Sequence, residues 1–126
     1  MSRRTPQMIA IGKVAADGTI LRATPGIRVR PTIVPGNIYG PGDDVGYTVR
    51  LPKRLVNDGN YIIQLTAENF GEDGPDYTIT TIAYRYQSKR GFEVIIWGDR
   101  SQTMPSTGGN PVPVQSNWSF VIYDMV

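Results

Sequence analysis

The side chains able to do chemistry in this 126-residue sequence are few in kind, because it contains neither Cys nor His. That excludes disulfides, zinc fingers, zinc hydrolases, Cys nucleophiles, Ser/His triads and the usual haem sites. Carboxylates, Tyr and Lys are left for acid–base work. Glu68, Glu72, Asp73 and Asp76 cluster along the chain, as do Asp43 and Asp44. A glycosidase needs two carboxyls held at a defined separation across a cleft, which neighbours on a turn do not supply. Asp73-Gly74-Pro75-Asp76 and Gly42-Asp43-Asp44 offer oxygens of the kind Ca²⁺ takes, yet neither follows the helix-loop-helix spacing, and Asp beside Gly is first a turn signal. Gly40-Pro41-Gly42 is a bend, since no Lys-Ser/Thr and no helix follow it. The expectation is a protein without catalytic residues, metal or cofactor, whose work is binding or structure.

Two groups of residues have the chemistry for binding. Trp97, Asp99 and Arg100 stand where a strand runs into the segment Gly98 to Asn117, and combine an aromatic platform, a carboxylate and a fork of donors, the groups that grip a sugar or a polar surface. The competing reading pairs Asp99 with Arg100 or leaves both in water, and packs Trp97 at an interface. Tyr84 and Tyr86 are read as sharing a face with Arg85 opposite, their rings about 7 Å apart along the strand. Tyr and Arg are enriched at interaction hot spots. The plainer alternative is a Tyr pair lining a sandwich edge or a protomer contact.

Charge narrows the partners. Thirteen basic and 11 acidic residues leave a formal charge of +2, too small a surplus to imply nucleic acid, and Arg3-Arg4 reads as part of a solvated tail. Gly12 and Lys13 interrupt the first apolar run, so it is no signal peptide. The longest uncharged stretch, Ser101 to Tyr123, is rich in Ser, Asn, Gln, Gly and Pro and is not a bilayer span.

The elements that position these residues follow from a hydrophobic period of two between turn signals, with no sustained helical period. Strands are expected over Met8 to Val14, Thr19 to Thr24, Ile27 to Ile33, Val45 to Leu51, Tyr61 to Ala67, Asp76 to Gln87, Gly91 to Trp97 and Trp118 to Met125. Ala16-Asp17-Gly18 and Lys89-Arg90-Gly91 supply hairpin turns. The third strand has one greasy face, Ile27, Val29 and Ile33, and one basic face, Arg28 and Arg30. About eight short strands at even spacing predict an all-β fold, an antiparallel β-sandwich or jelly roll. Residues 1–6 are expected to form a flexible tail and 7–126 a single domain.

Two strands are apolar on both faces. Phe92, Val94 and Ile96 oppose Ile95 and Trp97; Trp118, Phe120 and Ile122 oppose Val121, Tyr123 and Met125. A half-exposed antiparallel strand should alternate with polar residues, so another copy of the same chain is the expected cover. The competitor is a loop folded over these residues, for which the Gly98 to Asn117 segment, at about twenty residues, is long enough.

Four strings carry a resemblance: Ile11-Gly12-Lys13-Val14-Ala15-Ala16-Asp17-Gly18-Thr19-Ile20, Tyr61-Ile62-Ile63-Gln64-Leu65-Thr66, Lys89-Arg90-Gly91-Phe92-Glu93-Val94 and Trp118-Ser119-Phe120-Val121-Ile122-Tyr123. Together they resemble the C-terminal tip domains of bacteriophage tail fibres, many of which are similar to the trimeric H-type lectin fold. The resemblance implies a homotrimeric virion protein of the tail or fibre that adheres to a bacterial surface polysaccharide or protein receptor and joins other virion proteins. No sugar-binding motif of those lectins matches here residue by residue. The expected function is a phage adhesin, with a ligand-free capsid or tail decoration protein as the alternative and a carbohydrate-active enzyme as the third class.

Overall fold

The computed structural model describes residues 5–34, 44–68, 80–99, 111–113 and 116–125. They form nine strands: β1 (Pro6–Val14), β2 (Ile20–Ala23), β3 (Arg28–Val34), β4 (Asp44–Arg50), β5 (Ile62–Ala67), β6 (Thr80–Ser88), β7 (Gly91–Asp99), β8 (Pro111–Pro113) and β9 (Trp118–Met125). All pairings are antiparallel. A four-stranded sheet runs β2-β1-β9-β5 and a five-stranded sheet runs β3-β4-β7-β6, with β8 on β7. No helix occurs among the described residues. The expected all-β sandwich is therefore what forms, with one strand more than the turn signals announce.

Alternation puts the core between the sheets. Ala10, Val14, Trp118, Phe120, Ile122 and Ile63 face inward from one sheet, and Tyr47, Val49, Phe92, Val94 and Ile96 from the other. Each of the Val, Ile and Phe side chains among them contributes about 1.5–3 kcal/mol when fully buried. An aromatic path crosses the interior: Tyr47 lies 5.3 Å from Trp118, Trp118 5.8 Å from Phe120, Phe120 5.8 Å from Phe92 and Phe92 6.4 Å from Tyr61, by ring centroids. All four pairs are tilted or edge-on, the arrangements aromatic quadrupoles favour.

The turns use the expected residues. In the β1–β2 hairpin Gly18 has φ +93°, and the Asp17 carboxylate accepts the Thr19 N–H at 2.9 Å. That bond holds the exposed Asp17 below the usual carboxylate range. Tyr61 closes the β6–β7 hairpin, its hydroxyl donating to the carbonyls of Ser88 (2.7 Å) and Gly91 (3.2 Å).

Three departures matter for function. Pro6 and Gln7 already belong to β1, paired with Met125 and Asp124, so Pro6, read as the end of a tail, is inside the sheet. A bulge at Ile9 breaks the β1 alternation, which sets Met8 and Ile11 on the same outer face. Finally, the segment from Gly98 to Asn117 is not one loop, because β7 runs to Asp99 and β8 forms at Pro111–Pro113. Its far end is pinned: the Asn117 side-chain oxygen accepts the Ala16 N–H at 2.9 Å, and its carbonyl accepts the Glu68 N–H at 2.8 Å.

Candidate functional site

Trp97 lies within β7, which runs on to Asp99. Along β7 the buried Phe92, Val94 and Ile96 alternate with the half-buried Glu93, Ile95 and Trp97 on the outer face. Trp97 pairs with Thr81 of β6 on one side and with Pro113 of β8 on the other. The β4 ladder on β7 ends at Gly46↔Ile95, and β8 takes over that edge from Trp97 to Asp99. The indole therefore stands within a sheet, between two strands. The Asp99 backbone pairs with Pro111, its side chain lies outside the described residues, and so does the whole of Arg100. The carboxylates Glu72, Asp73, Asp76 and Asp43 also lie outside them, whereas Glu68 makes an ion pair with Lys13 at 3.1 Å.

The two tyrosines do not form the expected ladder. Tyr84 pairs with Val94, an inward-facing residue, and so belongs to the core side of the edge strand β6. Its ring meets Phe92 edge-on at 6.3 Å and stays 42% exposed, walling a shallow recess of about 300 Å³ with Ile63, Leu65 and Ile82. Between Arg85 and Ser88 the register slips, and Tyr86 adopts φ +57°. Such a bulge re-aims side chains. Tyr86 is left 74% exposed, and Arg85, which was read as opposite to it, lies 4.7 Å over its ring. The same guanidinium is clamped by Glu93 through Nε (2.8 Å) and Nη2 (2.7 Å) to Oε1. The physical unit is thus Glu93–Arg85–Tyr86, a cation held by a carboxylate and stacked on a phenol.

Two surfaces emerge only from strand pairing. On the outer face of the four-stranded sheet, Met8, Tyr123 and Ile62 form one row across β1, β9 and β5, and Ile11, Val121 and Gln64 form the next. Met8, Ile62 and Ile11 are 59%, 55% and 45% exposed. The two-faced β9 announced half of this patch; Ile62 and the bulge at Ile9 complete it.

The second surface involves β2 and β3, each the end strand of its sheet, whose residues Ile20, Arg28, Val29 and Arg30 line one groove. Arg28 pairs directly with Arg50, and Arg30 with Thr48, so all three guanidiniums rise from the outer face of the five-stranded sheet. They border a groove of about 550 Å³ whose remaining walls include Ile20, Ile27 and Val29. The basic face of β3 was legible from Arg28 and Arg30, but Arg50 joins it only through the β3–β4 register. Comparison with known proteins adds no relative: no family model, no curated protein and no solved structure matches the chain.

Proposed function

We propose that this chain is the receptor-binding tip of a bacteriophage tail fibre, a virion adhesin that assembles as a homotrimer and meets a polysaccharide or protein on the bacterial surface. The observation that carries the reading is the apolar double row of Met8, Tyr123 and Ile62 beside Ile11 and Val121 on an open sheet face. Water-facing rows of this kind mark association surfaces, and a symmetric assembly of the same chain covers them without a second gene product. The resemblance of the lead-in around Gly12-Lys13-Val14 and of the closing Trp118-Ser119-Phe120 strand to fibre tips supplies the virion context and the choice of three copies. With a rigid β scaffold behind them, Trp97, Asp99 and Arg100 supply the recognition groups, and three copies raise weak contacts by avidity of about 10² to 10⁴.

Light scattering together with cell attachment tests this. The expected mass is three times that of one chain, and Asp99→Ala and Arg100→Ala reduce attachment while leaving the melting temperature unchanged. A monomeric mass at micromolar concentration sinks the assembly. One observation favours the alternative of a ligand-free decoration protein, namely that Trp97 lies inside a ladder, paired with Thr81 on one side and Pro113 on the other. A trimer whose attachment is untouched by both substitutions selects that alternative.

A further inference from the structure

We propose that the groove between β2 and β3 is a binding site for an anionic saccharide, held by Arg28, Arg30 and Arg50. The inference goes beyond the fibre-tip reading and does not rest on it, since it follows from local charge. Like charges directly opposite one another on neighbouring strands destabilise a sheet, yet Arg28 faces Arg50 with Arg30 one same-face position further along. Among the described residues the ion pairs are Lys13–Glu68 and Arg85–Glu93, so no described carboxylate neutralises the three. A sheet gains nothing from this repulsion, and a bound anion removes it.

The groove's shape and lining choose the class of anion. Three planar forks of donors suit carboxylate, phosphate or sulfate oxygens. The volume of about 550 Å³ falls within the range of about 300–1,000 Å³ of small-ligand sites. Among the described residues no aromatic side chain lines it, and aromatic side chains are the base-stacking platform of single-stranded nucleic acid. Ile20 and the half-buried Val29 offer apolar contact to the C–H face of a pyranose, and the Thr48 hydroxyl, already bonded to Thr32 Oγ1, keeps a lone pair that can accept one more hydrogen bond. A sugar ring bearing acidic groups satisfies all of these at once.

Calorimetric titration of the purified full chain with short oligogalacturonate, heparin oligosaccharide, neutral dextran and single-stranded DNA tests the proposal. The chain is expected to bind at least one of the two acidic saccharides, with affinity falling as salt rises, and to ignore dextran. Binding of galacturonate shows that carboxylates suffice, whereas binding of heparin alone shows that sulfate is required, since heparin carries both groups. Arg28→Gln and Arg50→Gln should each weaken binding about tenfold, whereas Lys13→Gln, which removes the same charge from the opposite sheet, should not. Because both arginine substitutions relieve repulsion, the melting temperature should hold or rise as binding falls. Failure of both saccharides to bind, unchanged affinity in Arg28→Gln and Arg50→Gln, or tighter binding of the DNA overturns the proposal. None of these outcomes bears on attachment through Asp99 and Arg100, so the two readings fail separately.

Discussion

The Tyr47 hydroxyl donates a 2.6 Å hydrogen bond to the carbonyl of Ala16, joining β4 of one sheet to the β1–β2 turn of the other. Ala16 in turn gives its N–H to the Asn117 side chain, and the Tyr47 ring tilts against Trp118. One phenol thus ties together both sheets and the lead-in to β9.

Replacing Tyr47 with Phe keeps the ring packing and orphans the Ala16 carbonyl. Loss of this half-buried hydrogen bond costs about 0.5–1.5 kcal/mol. Calorimetry should show a fall in melting temperature of about 4 °C per kcal/mol lost for a domain of this size, with no change in secondary structure by circular dichroism.

Alkaline pH should unfold the protein through the same residue and through Tyr61. Burial, helped by the nearby Asp17 charge, pushes the Tyr47 phenol up to about 12, and burial, with Tyr84 close by, does the same for Tyr61. In the unfolded chain both ionise near the ordinary value of about 10. The unfolded state therefore loses protons first, so stability is fully present below about pH 10 and is lost as pH rises towards 12. Phenolate absorbance at rising pH should lose one late-ionising component in Tyr47→Phe and another in Tyr61→Phe.

Two glycines are held by close approach to a neighbouring strand. A Cβ on Gly12 would stand 2.2 Å from the Phe120 ring, which is buried and has nowhere to go, and a Cβ on Gly91 would stand 1.8 Å from the Val49 carbonyl oxygen. Gly91 also has φ +147°. Gly12→Ala should cost about 1–3 kcal/mol through overpacking. Gly91→Ala should cost more, since backbone yields less than a ring, and denaturant midpoints of the two variants give the order directly.

Self-association should be broken from the four-stranded sheet more readily than from the other. Ile62 is 55% exposed beside Tyr123 and across β9 from Met8, while Ile95 is half-buried between Ala83 and Gly46. A charge placed unpaired in an interface costs several kcal/mol, about 3–5. Light scattering of Ile62→Arg should give a single-chain mass, and Ile95→Arg a smaller effect; the reverse order would move the interface to the five-stranded sheet.

What the sequence determined by itself was local. Alternation of apolar and polar residues is written into neighbouring positions, and it named eight of the strands and the buried face of β5, whereas β7 and β9, apolar on both sides, left the choice of buried face to the packing of the sheets. Ala16-Asp17-Gly18 and Lys89-Arg90-Gly91 likewise announced their turns, because positive φ restricts the residue type at the turn itself. The tertiary structure decided everything that depends on a partner distant along the chain. Bulges at Ile9 and Tyr86 reversed the alternation and so rearranged both the outer apolar face and the expected Tyr84–Tyr86 pair. The free edge of β7 beyond Ile95 drew three residues, Pro111–Pro113, into a strand that their own composition opposes, Pro lacking the donor a strand interior needs. The β3–β4 register brought Arg50 opposite Arg28. Register is a property of two strands together, and a period read from one of them carries no record of its neighbour.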